Sequence, residues 1–180
     1  MSILNRLFGK DPMAPVGERL YAELVQAARK PALYDERGAP DTVDGRFDMI
    51  TMHAVLLIRR LNEGGEAGRA AGQAVFDRMF ADMDDALREM GIGDTSVGKK
   101  IKKMAEAFYG RANAYKTALD AGDADALSET IERNMLDELD RAGPAARRLA
   151  DYMLKADAAL QQQSPEALIE GERPRFPAAG

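Results

Sequence analysis

Cysteine and tryptophan are absent from the 180 residues, and histidine occurs once, at His53. Without thiols there are no disulfides, thiolate metal sites or cysteine nucleophiles. One imidazole is too few for a histidine-built zinc site and leaves most Ser-His chemistry without its base. Val, Ile and Thr together number only 18 against 58 for Ala, Leu and Met, the balance of helices and not of sheets. No apolar run approaches the roughly 20 residues of a membrane span, and the first residues lack the charged leader and cleavage site of a secretory signal. A cytoplasmic chain is expected. The net charge of −5 argues against a basic coat for DNA or non-specific nucleic-acid binding.

What is present is helical periodicity. Val16, Leu20, Tyr21, Leu24, Val25 and Ala28 predict a first long helix that Pro31 stops, followed by a loop to Pro40. Asp41 or Thr42 then caps a helix whose buried stripe is Val43, Phe47, Ile50, Ala54, Leu57, Ile58 and Leu61, ended by Gly64 and Gly65. The next segment runs from Glu66 to Met90 and stops at Gly91-Ile92-Gly93. Asp94 or Thr95 opens another, with Val97, Ile101, Met104, Phe108, Ala112, Tyr115 and Leu119 inward as far as Gly122. Asp123 or Asp125 starts a helix carrying Leu127, Ile131, Met135 and Leu139 to Gly143, and Pro144 enters the first turn of the last long helix.

The expectation is an all-α, single-domain bundle of six or seven helices, with a short N-terminal helix and an irregular C-terminal tail. Residues 1–12 form the N-terminal segment, 13–163 the helical domain and 164–180 the tail. Ile3, Leu4, Leu7 and Phe8 fall on one side of that first segment, either a weak membrane-surface foot or a helix docked on the core.

Two blocks resemble the ubiquinol-cytochrome c chaperone family in its alphaproteobacterial form. The first is Gly38-Ala-Pro-Asp-Thr-Val-Asp-Gly-Arg-Phe-Asp-Met-Ile50, continuing through His53 to Leu61. The second is Leu87-Arg-Glu-Met-Gly-Ile-Gly-Asp94 with Val97-Gly-Lys-Lys100 and Ala107-Phe-Tyr-Gly-Arg111. The resemblance implies an all-helical protein without catalytic residues, metal or cofactor that assists assembly of respiratory complex III. It also implies nascent cytochrome b as the client, since the mitochondrial members, working with a small partner protein near the ribosome, hold newly made cytochrome b.

Four local patterns bear on how such a protein would work. Asp41, Asp44, Arg46 and Asp48 crowd a helix start, where carboxylates satisfy free backbone donors; this is expected to be capping and not a metal or catalytic centre, with Arg46 a candidate for a client carboxylate or lipid phosphate. His53, at the edge of a buried stripe and without a metal-binding spacing around it, is expected to be hydrogen-bonded to the fold. Lys99, Lys100, Lys102, Lys103, Arg111 and Lys116 make a basic helix opposed only by Glu106. That stripe either contacts ribosomal RNA, anionic lipid headgroups or an acidic partner, or is complemented by the acids between Asp120 and Asp140. Finally, Met79, Met83, Met90 and Met104, beside Phe76, Phe80 and Phe108, offer either an adaptable grip for apolar client segments or a core stripe. Within the basic helix, Gly98 and Gly110 each cost helix stability, and close packing near Gly110 is the expected reason.

Assembly of complex III is the leading reading. The rivals are a ribosome or RNA adaptor using the basic helix, a bundle that binds lipid or quinone, and, last, a small hydrolase built on the Asp41–Asp48 cluster.

Overall fold

The computed structural model describes residues 11–34, 38–136 and 142–178, and among these every regular element is helical. The helices are α1 (Ala14–Ala28), α2 (Val43–Asn62), α3 (Gly65–Glu89), α4 (Asp94–Ala121), α5 (Ala124–Ile131), α6 (Ala142–Gln161) and α7 (Pro165–Glu170). A 3₁₀ turn covers Pro31–Leu33, and α5 continues as a π turn over Glu132–Leu136. The N-terminal foot and Leu139 lie outside the described residues.

The chain punctuates itself much as its residue types require. Thr42 caps α2 by accepting from the Gly45 amide at 3.1 Å, and Asp123 caps α5 by accepting from the Asp125 and Ala126 amides. Gly91 and Gly122 take the left-handed conformation after α3 and α4. Asp94 opens α4 as its first residue, with Gly93 at the cap position before it.

Helix α2 is the hub. It packs against α1, α3, α6 and α7, whereas α4 joins the molecule through its neighbours α3 and α5. The α1–α3 contact is close because Gly17 lies against the Ala74 backbone, where an added Cβ would sit 2.6 Å from it. One continuous core follows, from Leu20 and Leu24 through Met49, Met52, Leu56 and Leu57 to Leu149, Met153 and Leu160.

Three local expectations change. Val43 is not part of the buried stripe; it is 70% exposed in the first turn of α2, ahead of the point where α2 meets the core. The helix expected to run unbroken from Asp123 becomes a π turn after Ile131. There Asn134 Nδ2 donates to the Thr130 carbonyl and Thr130 Oγ1 to that of Ala126, so side chains occupy carbonyls of the ladder. The tail after Ser164 is not irregular throughout: Ser164 caps the short helix α7, and residues 171–178, which form no regular element, lie back across the bundle. Gln163 holds them, donating to the Arg173 carbonyl at 2.8 Å and accepting from the Arg175 amide at 2.7 Å. Arg173 also pairs with Glu23 of α1 at 3.2 Å.

Candidate functional site

Helices α2 and α4 run in the same direction but stand off from one another, and ion pairs set the gap. At one end Asp48 Oδ1 of α2 meets Arg111 Nη1 of α4 at 2.6 Å, with both side chains nearly withdrawn from solvent. Arg111 Nη2 also donates to the Asn134 carbonyl of the π turn at 3.1 Å. At the other end Arg59 of α2 meets Asp120 of α4 at 2.9 Å and Asp157 of α6 at 3.2 Å. Lys116 shares Asp120 at 2.5 Å. At 1.5 Å rise per residue, these two bridges lie roughly 15 Å apart along the helices.

Beside the Arg59 and Lys116 bridge, α2 and α4 line a groove of about 570 Å³. Val55 and Ile58 from α2 and Phe108, Tyr109 and Ala112 from α4 make it apolar, and Asn62, Asn113 and Lys116 give it a polar edge. The aromatic wall reaches α3, since Phe76 lies 5.2 Å from Phe108 and 5.4 Å from Tyr109, ring centre to ring centre, and 4.5 Å from Phe80. Tyr109 is 60% exposed, an uncommon position for an aromatic residue that also packs on two others. The arrangement can sequester an apolar segment while the ion pairs tie its two walls to one another.

Burial pushes the Asp48 carboxyl up to about 6, outweighing the pull of Arg111, and the Asp44 charge adds to the rise. Elsewhere on α2 His53 is fully buried. Its Nδ1 lies 2.7 Å from the Met49 carbonyl, which can only accept, so Nδ1 carries the proton and Nε2 accepts from the Tyr152 hydroxyl at 2.7 Å. The Phe176 ring covers it, 4.8 Å away between centres. Burial drives the imidazole down to about 4, against the contrary effect of the Met49 bond. It is a neutral structural residue, as its sequence setting predicts.

Phe76 and Phe80 join the aromatic wall, Phe76 half-buried and Phe80 buried. Met79 is wholly buried, so its contribution goes to the core, and Met83 is half-buried farther along α3. Arg46 stands apart at the start of α2, exposed and paired with Asp41 at 2.6 Å. Arg111 leaves the basic stripe, because Asp48 and Asn134 claim its guanidinium. Lys99, Lys100, Lys102 and Lys103 remain exposed near the beginning of α4. A Cβ at Gly98 or Gly110 would meet nothing within 4 Å, so close packing does not explain either glycine. Sequence reasoning missed Val55, Ile58 and Tyr109 as groove residues; Tyr109, one position past an inward Phe108, carried the available signal. Among the described residues no group of three or more His, Asp or Glu side chains is placed to hold a metal.

Residues 35–176 match the ubiquinol-cytochrome C chaperone family. The chain belongs to that family. This chaperone is 37% identical to the Cbp3 homolog from Brucella abortus, known from a crystal structure, with a TM-score of 0.83 and 98% of each chain covered. It is also 22% identical over 151 residues to ubiquinol-cytochrome-c reductase complex assembly factor 1 of Xenopus laevis, covering 84% of this chain and 75% of that protein. The chaperone family serves complex III assembly and is not a family of enzymes. Among the described residues no helix is long and apolar enough to cross a membrane.

Proposed function

We propose that this chaperone holds newly made cytochrome b during assembly of ubiquinol-cytochrome c reductase, taking an apolar client segment into the groove between α2 and α4. The observation that carries the reading is that groove, lined by Val55, Ile58, Phe108, Tyr109 and Ala112, whose α2 and α4 walls are tied to one another by the Asp48–Arg111 and Arg59–Asp120 pairs. Family membership supports a client within complex III. An exposed aromatic beside aliphatic side chains suits the hydrophobic helices of a membrane subunit awaiting its partners. Work of this kind belongs on the cytoplasmic face of the inner membrane, where such a subunit is inserted, with or without a small partner protein.

The test is capture of a tagged copy from gently solubilised respiring cells, with a tag-only control. Cytochrome b enriched over the other subunits of the mature complex is the expected result. Replacing Ala112→Trp fills the groove from its α4 wall, and a tenfold or greater loss of captured cytochrome b is expected with the thermal midpoint unchanged. Capture of ribosomal proteins alone, or equal capture by the filled variant, refutes the reading.

A further inference from the structure

The beginning of α4 has a face that neither the core nor the groove uses. Val97 is buried and Ile101 and Met104 are half-buried, so these turn toward α3. At about 100° per residue, Lys99 then points nearly straight outward, Lys102 and Lys103 fall about 50° to either side of that direction, and Lys100 lies about 60° beyond Lys103. All four are exposed. Only Lys102 has a carboxylate in reach, the exposed Glu106 at 3.9 Å. Among the described residues no acid forms an ion pair with Lys99, Lys100 or Lys103.

Among the described residues, several nearby acids are engaged or turned elsewhere. Asp120 pairs with Arg59 and Lys116, and Asp125 with Arg147. Near the hairpin tip Arg88 holds both Asp84 and Asp94. Asp85 and Glu89 fall about 140° and 180° around α3 from Phe80, whose ring packs on Phe108, so they look away from α4. The same tip carries Met90, 64% exposed, at the turn where Gly91 takes its left-handed conformation.

We propose that the outer face of the first turns of α4, with the Met90 tip, is a docking surface for an anionic lipid bilayer. Charge complementarity selects the occupant class, since four adjacent ammonium groups match a surface of smeared negative charge. The residue types favour lipid over nucleic acid. Lysine is a hydrated point charge, and the face has no free guanidinium for bidentate phosphate binding, Arg111 being committed to Asp48 and Asn134. Nor does it interleave aromatic platforms for bases, since α4 carries no aromatic residue from Asp94 to Ala107, and Phe108 and Tyr109 line the groove farther along. An exposed methionine at the hairpin tip adds an apolar contact that a bilayer accepts and a phosphodiester backbone does not. The inference does not depend on which client the groove takes.

The full chain would be floated with vesicles of phosphatidylcholine alone or with about one-third phosphatidylglycerol, over a salt series, beside an excess-RNA competition. Binding to the anionic vesicles only, weakening with salt, is expected. Changing Lys99, Lys100, Lys102 and Lys103 together to Gln should lower it at least about 30-fold, from the roughly fivefold expected of each charge, and changing them to Arg should preserve it. A second full-length variant, Leu4→Ser with Leu7→Ser, separates any contribution of the N-terminal segment and should bind as the parent does. The proposal is overturned if the parent chain ignores anionic vesicles, if the Gln variant binds within threefold of it, or if RNA displaces the vesicles and binds through the same lysines. Because no cytochrome b is present, none of these outcomes bears on the groove.

Discussion

Asp48 and His53 sit five residues apart on α2 and answer acid in opposite senses. Asp48 is raised from 3.8 to about 6, so the folded state holds its proton more tightly than the unfolded chain does. Its contribution is complete below about pH 4 and is lost as pH rises through 6. His53 is lowered from 6.5 to about 4, so its contribution is present above pH 6.5 and is lost as pH falls toward 4. Each shift is worth about 3 kcal/mol when fully expressed, and between pH 7 and 5 the two nearly cancel. The urea midpoint of the parent chain should therefore move little across that interval. Asp48→Asn removes one side of the balance, and this variant should lose about 1 kcal/mol more than the parent between pH 7 and 5. Equal pH slopes for the two would show that Asp48 does not gain its proton in the folded state.

At the scale of elements, glycine marks opposite situations on neighbouring helices. Gly17 permits the α1–α3 approach, and Gly17→Ala should cost about 1–3 kcal/mol because the Cβ would press on the Ala74 backbone. Gly98 and Gly110 face open space, so Gly98→Ala and Gly110→Ala should each raise stability by up to about 1 kcal/mol. Denaturation of the three variants checks both signs. This contrast was not legible in the sequence, where all three lie inside helical patterns. The helices themselves were legible, because Ala, Leu and Met at helical spacing and residues such as Thr42, Asp123 and Gly122 encode start, face and stop locally. The site was legible only in pieces. Arg111 read as one more charge of a basic stripe because its partner Asp48 is 63 residues away, and Val43 read as buried because periodicity cannot tell where a helix overhangs its core.

Across the whole molecule, the chain is fastened by contacts between its distant ends. Gln163 holds Arg173 and Arg175, Arg173 reaches Glu23 of α1, and Arg19 of α1 donates to the Leu168 and Ile169 carbonyls of α7. Removing residues 173–180 should cost about 3 kcal/mol, chiefly from the lost Phe176 packing and the two Gln163 bonds, and a shifted denaturation midpoint would register it. The groove walls, α2 and α4, are joined by other pairs and should survive that truncation. The lid over His53 also imposes an order in time. Phe176 follows His53 by 123 residues, and a ribosome adding 5–20 residues per second needs about 6–25 s to cover that distance. The imidazole lacks its Phe176 cover for that whole interval and Tyr152 as well for the first 99 residues of it, so the buried setting of His53 in the finished chaperone is completed only after most of its chain has been made.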